Sequence, residues 1–223
     1  MRSWRETCEQ SLRAFTGADA QRFWQRSHAT GSAPEAPFDY RFEHTLAVVK
    51  LARWLAPQIG ADLEATECAA WLHDCRKRLK EPQERDHHAQ EASAAVPEIL
   101  AGTDFPSAKI PLVQVAIERH VGLRLTRILE PVEAACLWDA DKLSKLGAAS
   151  VVHFMGISPA FQPVTTSDVL ARGLRWLELA SGIVESMNTE PAREEARRRY
   201  VFLERHYLQL AREWADPMEG VPG

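Results

Sequence analysis

The sequence predicts an all-α protein. Apolar residues recur at spacings of three and four along most of the chain, while the alternating pattern of a β-strand is scarce. Only 11 of the 223 residues are glycine, and the chain has no internal repeat or low-complexity tract. With 45% hydrophobic and 26% charged residues, the composition is that of a folded domain rather than a disordered chain.

Charge and hydropathy exclude several classes of protein. The formal charge of −4 argues against a dedicated nucleic-acid-binding protein, which usually carries a basic face. No apolar run approaches the ~20 residues that span a bilayer, and the N-terminus lacks the apolar core of a secretion signal. We therefore expect a cytoplasmic protein without a membrane partner. The four cysteines are far apart and form no CxxC pair, which favours buried thiols over disulfides or a zinc knuckle.

The helices follow in order from the apolar stripes. A stripe from Trp4 to Phe15 predicts a first helix that Gly17 ends, and Asp19 is expected to cap a short second helix. Residues 29–39 are small or proline-rich, so residues 1–39 are predicted to form an N-terminal helical extension and linker. Further helices are predicted over 40–56, 62–79, 86–101, 107–120, 131–150, 167–187 and 190–214.

Residues 40–155 are expected to form the core domain, and residues 156–223 a lid loop and C-terminal helices that pack on it. The segment Gly156–Ser167 has two prolines, one glycine and no clear period, which makes it the candidate lid. The last helix carries an apolar seam that could form a homodimer. Packing on its own domain is favoured, because two heptads are short for a coiled coil. The seam consists of Tyr200, Leu203, Tyr207, Leu210 and Trp214.

Four histidines interrupt the apolar stripes of four different predicted helices. They are His44, His73, His88 and His120, and Asp74 directly follows His73. One such histidine alone would more simply be a hydrogen-bonded core residue, but four inward-facing imidazoles are costly to bury unless something binds them. A metal ion meets that cost, and imidazole with carboxylate suits Fe, Mn, Co, Ni or Zn better than Ca or Mg.

A later carboxylate is needed to balance the charge of such a site. Asp139 and Asp141 both qualify, but two residues apart on a helix means about 200° of rotation, so only one can face the site. Periodicity does not choose between them. The remaining histidines are left out of the site, although His153 is ambiguous because it lies near the candidate lid.

These residues resemble the signature of the HD-domain superfamily. The matching motifs are Arg41-Phe42-Glu43-His44, Ala69-Ala70-Trp71-Leu72-His73-Asp74 and Asp141-Lys142-Leu143, spread over about half of the chain. The resemblance favours Asp141 as the ligand and places Asp139 behind it. With the two middle histidines, the pattern H…HD…H…H…D is similar to the branch that holds two metals. One or two divalent transition ions are then held by His44, His73, Asp74, His88, His120 and Asp141, with Asp74 as the bridge.

The resemblance implies a phosphohydrolase that attacks a nucleotide or other small phosphate ester or anhydride with a metal-activated hydroxide. The subgroup that splits diadenosine tetraphosphate symmetrically is the most similar. Asp74 and Lys77 are the expected catalytic residues, although a solvated helix-end lysine explains Lys77 equally well. Arg76, Arg124 and Lys145 are candidates for substrate binding; for both arginines a solvated surface position is the favoured alternative.

Other readings use the same residues. HD-type mixed-valence diiron oxygenases share the six-ligand set, and a ligand set does not by itself fix the reaction. There are two further alternatives. One is a non-catalytic nucleotide-binding regulatory HD module, and the other is a helical scaffold whose core histidines are hydrogen-bonded. Hydrolysis is preferred because it is the common activity of the superfamily and because basic residues cluster near the predicted site.

Overall fold

The computed structural model describes residues 1–27, 36–79, 87–158 and 165–215. Over these residues the protein is all-α, as predicted, and its only β-type pairing is an isolated bridge between Arg2 and Thr103. None of the described helices is long and apolar enough to cross a membrane. The helices are α1 Trp4–Ser27, α2 Tyr40–Ile59, α3 Leu63–Leu72, α4 His88–Ile99, α5 Ile110–Arg119, α6 Val132–Ser144, α7 Gly147–Ile157, α8 Thr166–Glu185 and α9 Glu190–Trp214, with a short 3-10 helix at Ser107–Lys109.

Side-chain caps fix the helices that carry the central motifs. Asp39 accepts a hydrogen bond from the backbone N–H of Phe42 at 3.0 Å, which starts α2, and Gly60 ends it in a left-handed conformation. Asp62 accepts from Ala65 N–H at 2.9 Å and starts α3. Because both starting points are fixed, the faces that α2 and α3 turn inward are fixed as well.

The main core forms around α2. This helix packs against α3 and α6, α4 pairs with α5, and α8 pairs with α9. Val48 and Leu55 of α2 are fully buried, as is Trp138 of α6. The first helix contributes Trp4, whose ring meets Phe105 edge-on at 5.4 Å. The core around α2 and α6 is therefore apolar and buried, which makes the buried polar groups within it conspicuous.

The predicted break at Gly17 is wrong, because α1 runs unbroken from Trp4 to Ser27. Packing outweighs the helix cost of one glycine, since apolar residues on both sides of Gly17 are buried. Asp19 is not a helix cap. Its carboxylate is buried and accepts a hydrogen bond from the backbone N–H of Leu79 at 2.7 Å, which ties α1 to the segment after α3.

Two other predicted helices have different bounds. The helix expected over 131–150 is divided into α6 and α7, because Gly147 adopts φ +80°. A Cβ at this position would also lie 3.0 Å from the Arg199 side chain. The helix expected over 62–79 ends at Leu72, and a turn follows. That turn presents His73 and Asp74 to the interior.

Parts of the remaining predictions lie outside the described residues. The linker falls largely within 28–35 and the lid within 159–164, although α7 extends to Ile157 and α8 begins at Thr166. In α9, Leu203 and Tyr207 are buried within their own chain, whereas Trp214 is exposed. Dimer formation and the proposed division into three regions stay predictions.

Candidate metal centre

Five segments bring the six side chains predicted as metal ligands to one buried place. His44 lies in α2, His73 and Asp74 lie in the turn after α3, and Asp141 lies in α6. His88 opens α4 and His120 directly follows α5. None of the six residues is more than 4% exposed. The predicted ligands are thus adjacent, and their role as ligands stays a prediction.

Asp74 lies at the middle of the group. Its Oδ1 is 3.3 Å from Nε2 of His88 and 3.6 Å from Nε2 of His120, and its Oδ2 is 3.7 Å from Nε2 of His73. Nε2 of His44 is 3.1 Å from Oδ1 of Asp141 and 3.8 Å from Oδ2 of Asp74. Among the residues that the structure describes, two sets have donor atoms within 4.8 Å of one another: His44, His73 and Asp141; and His73, Asp74 and His120.

Hydrogen bonds to backbone carbonyls orient two of the imidazoles, those of His73 and His120. Nδ1 of His73 donates to the carbonyl of Ala70 at 2.8 Å, and Nδ1 of His120 donates to the carbonyl of Ile117 at 2.5 Å. The other ring nitrogen, Nε2, therefore carries the lone pair and faces the group. Histidine ligands in metalloproteins are oriented in this way by a hydrogen bond from the second nitrogen.

Ser144 fixes the third imidazole. Its hydroxyl donates to the carbonyl of Asp141 at 2.6 Å, so its oxygen is left to accept from Nδ1 of His44 at 3.0 Å. Nε2 of His44 then presents a lone pair to the carboxylate of Asp141. Two facing acceptors are unfavourable unless a cation lies between them.

These atoms fit a divalent transition metal. Within the described part of the chain, Nε2 of His44, Nε2 of His73 and Oδ1 of Asp74 are buried without a hydrogen-bond partner. Buried polar atoms are rarely left unpaired, and unpaired lone pairs of imidazole and carboxylate that converge are what such an ion binds.

The protonation states also suit metal binding. Burial lowers the pKa of His44 to about 4, assisted by the charge of Lys145, and burial lowers the pKa of His73 well below its usual value. Burial would raise the pKa of Asp74 and of Asp141, but neighbouring cations hold both well below the ordinary range. Near neutral pH the imidazoles of His44 and His73 are neutral and both carboxylates are ionised, which is the form that coordinates a metal.

Cationic side chains surround the two carboxylates. Arg41 donates to Oδ2 of Asp74 at 2.7 Å, and Nζ of Lys77 lies 3.8 Å from Oδ1 of the same carboxylate. Lys142 and Lys145 both form ion pairs with Asp141, and burial lowers the pKa of Lys142 to about 8. Four cations around two carboxylates create a positive environment that favours an anionic ligand.

The structure separates the two candidate aspartates of α6. Asp139 faces away from the group and accepts four hydrogen bonds, from the backbone N–H and the side chain of both Asn188 and Thr189, at 2.8 to 3.0 Å. These residues immediately precede α9. Asp139 therefore joins α6 to the start of α9, and Asp141 faces the histidines.

The two arginines predicted to bind substrate have contacts elsewhere. Arg76 lies over the ring of Phe15 in α1 at 5.6 Å, and Arg124 packs against Gly182 in α8. Their part in substrate binding stays a prediction. Lys145, the third predicted substrate residue, does lie at the centre through its ion pair with Asp141.

Sequence reasoning assigned no role to Arg41 or Ser144. A helical signal was available for both: Arg41 lies three residues before His44, and Ser144 three residues after Asp141, so each shares a helix face with its neighbour. Tyr40 was also missed, and its ring is stacked on that of His44 at 6.0 Å with an interplanar angle of 7°.

A cavity of about 620 Å³ lies beside this group of residues. Tyr40, Arg41, Ser144 and Lys145 line it, and each of them touches one of the six candidate ligands. The opposite walls come from α7, α8 and α9. A small molecule in the cavity therefore has direct access to the cationic side chains around the centre.

Comparison with known proteins identifies the fold. Residues 41–146 match the sequence profile of the family described as HD domain. No curated protein sequence gives a significant match. Among solved structures, the chain is similar to Bacillus subtilis YpgQ, with a TM-score of 0.61 and 20% identity over 95% of this chain and 97% of that one.

Two further structures have the same fold. YpgQ in complex with ADP gives a TM-score of 0.59 at 21% identity, covering 87% of this chain and 97% of that one. An HD-superfamily hydrolase from Bacillus thuringiensis gives 0.58 at 20% identity, covering 95% and 98%. Together with the profile match, these similarities show that the chain has the all-helical fold of HD domains.

Proposed function

We propose that this protein is a metal-dependent phosphohydrolase of the HD superfamily that acts on a nucleotide or another small phosphate ester or anhydride. One observation carries the proposal. Four imidazoles and two ionised carboxylates converge in a buried place, and three of their donor atoms have no hydrogen-bond partner within the described residues.

In the proposal, His44, His73 and Asp141 would hold one ion, His88 and His120 would hold a second, and Asp74 would serve both. The short distances from both oxygens of Asp74 to the surrounding imidazoles support this assignment. A divalent ion in such a place lowers the pKa of water and screens the negative charge of phosphoryl oxygens.

The cationic side chains of the chain itself supply the rest of the chemistry. Lys77 is 29% exposed at its side chain and its ammonium lies near Asp74, so it can reach a phosphoryl group that approaches the centre. We propose that it stabilises charge on the transferring phosphate. Arg41 and Lys145 line the cavity and orient the remaining phosphate oxygens.

A nucleotide is the proposed substrate for two reasons. The cavity volume of about 620 Å³ lies in the range of pockets that hold small molecules. In addition, YpgQ, which shares the fold, has been solved in complex with ADP. We extend that ligand class to this chain because its cavity joins the cationic centre directly.

The experiment is reconstitution of the full chain with Mn or Co under nitrogen, followed by a screen of nucleotides for release of phosphate or a shorter nucleotide. The proposal predicts metal-dependent release that His73→Ala abolishes. Oxygen consumption with iron and no release would instead identify the diiron oxygenase. Tight nucleotide binding without turnover under any metal would identify the regulatory module, and either result would overturn the hydrolase.

A further inference from the structure

The cavity beside the centre has two chemically different ends. At the inner end, Arg41 donates to Asp74 and Lys145 pairs with Asp141. These are the groups that bind an anion. A ligand whose phosphate lies here still has most of the cavity left to fill.

The outer walls are mainly apolar and aromatic. They are lined by Phe154 and Ile157 of α7 and by Trp176 and Leu179 of α8. A bare phosphate leaves this part of the cavity unused, and a sugar phosphate places hydroxyl groups against apolar surface without partners. The outer end therefore suits a flat apolar group attached to the phosphate.

A close approach of α8 and α9 shapes this end of the cavity. A Cβ on Gly173 would lie 2.0 Å from the ring of Tyr207, so the glycine lets the tyrosine ring rest on the backbone of α8. Both residues line the cavity. The close contact of α8 with α9 thus adds the ring of Tyr207 to the same cavity wall as Trp176.

Two polar side chains that line the cavity form no hydrogen bond with the described residues. His153 contacts the rings of Phe38 and Tyr40, each at 6.3 Å, and forms no hydrogen bond there. Arg175 of α8 likewise has no hydrogen bond or ion pair within the described ranges. A ligand that combines a flat face with hydrogen-bonding edges meets both the aromatic walls and these two side chains.

We propose that helices α7 and α8 form the compartment for the nucleobase of the substrate, with Trp176 as the stacking surface and His153 and Arg175 as partners for the base edge. The phosphates then lie towards Arg41 and Lys145. This inference rests on the proposed function and deepens it. It assigns substrate selection to helices that lie outside the segment matching the HD profile, residues 41–146.

The test compares a nucleoside triphosphate with inorganic tripolyphosphate, which has the same phosphoanhydride bonds but no base. Loss of base stacking on an aromatic side chain costs about 1–3 kcal/mol, so Trp176→Ala should raise KM for the nucleotide about tenfold. KM for tripolyphosphate should change less than twofold, and Trp176→Phe should restore most of the nucleotide affinity. Trp54→Ala is the matched control, because Trp54 is exposed on α2 and lies outside the cavity lining.

A second variant guards against misfolding of the first. His153→Ala removes a half-buried side chain and should raise KM for the nucleotide severalfold while leaving tripolyphosphate unaffected. Equal losses on both substrates, or no change for the nucleotide in either variant, would overturn the compartment.

Binding separates this inference from the proposed function. If the wild type hydrolyses no phosphate compound in the screen, the hydrolase proposal fails, and calorimetry then tests the compartment alone. The expected result is that a nucleoside monophosphate binds more tightly than inorganic phosphate and that Trp176→Ala removes this difference. Equal binding of the monophosphate by wild type and variant would contradict the inference.

Discussion

The hydroxyl of Ser144, at the end of α6, accepts a hydrogen bond from Nδ1 of His44, which lies 100 residues earlier in α2. The same hydroxyl donates its proton to the carbonyl of Asp141. One side chain thereby fixes the tautomer of a candidate ligand and the backbone that carries another. It gives the centre a geometry that two separate helices could not hold independently.

Ser144→Ala should weaken metal binding without preventing it. Groups that hold a histidine ligand in its tautomer typically contribute 10-fold to 100-fold to metal affinity. We expect a loss of about that size in a competition titration of Mn or Zn, with Ser144→Thr restoring most of it. Wild-type affinity in the alanine variant would show that this hydrogen bond does not position His44.

The two aspartates of α6 offer a matched pair. Asp141→Asn should remove metal binding, because the carboxylate faces His44 at 3.1 Å. Asp139→Ala should keep metal binding but reduce the free energy of unfolding by roughly 3 kcal/mol, since it leaves buried donors before α9 without an acceptor. Denaturation and metal titration on both variants check this, and the reverse outcome would exchange their roles.

The sequence predicted the helices and the inward histidines because both depend on local periodicity. It did not choose between Asp139 and Asp141, since the choice depends on Asn188 and Thr189, which are about 50 residues away. The continuation of α1 through Gly17 escaped prediction for a related reason. Its helix is stabilised by packing on α2 and α3, which local propensity does not record.

Lys77→Ala should lower turnover while the metal stays bound. Its ammonium lies beside Asp74, and removing a charge that stabilises a transition state typically costs 10²-fold to 10³-fold in kcat, so we expect a loss of at least about tenfold. Lys50→Ala is the control, because Lys50 is exposed on α2 and does not line the cavity. Unchanged kcat for Lys77→Ala would remove this residue from the mechanism and leave the metal centre unaffected.

Acid should destabilise the metal-free protein. Burial lowers the pKa of His44 in the folded state to about 4, whereas the unfolded chain titrates near 6.5, so the unfolded state takes up the proton first. The contribution of His44 to the free energy of unfolding is therefore fully present above about pH 6.5, and it is lost as the pH drops towards 4. At 1.36 kcal/mol per pKa unit, His44 alone accounts for roughly 3 kcal/mol.

Urea denaturation between pH 7 and pH 4 measures this effect. His44→Gln should show a shallower decline than the wild type over this range, with His73 responsible for part of what remains. A wild-type stability that is constant from pH 7 to pH 4 would contradict the buried neutral imidazoles.

The metal content of the full chain tests the central claim most directly. Elemental analysis after incubation with Fe, Mn, Co, Ni or Zn and removal of free ions should find one to two equivalents of a transition metal per chain. Folded His73→Ala and Asp74→Ala variants should retain little or none and should lose turnover. A wild-type protein that stays metal-free, or either variant with full metal content and activity, would contradict the account.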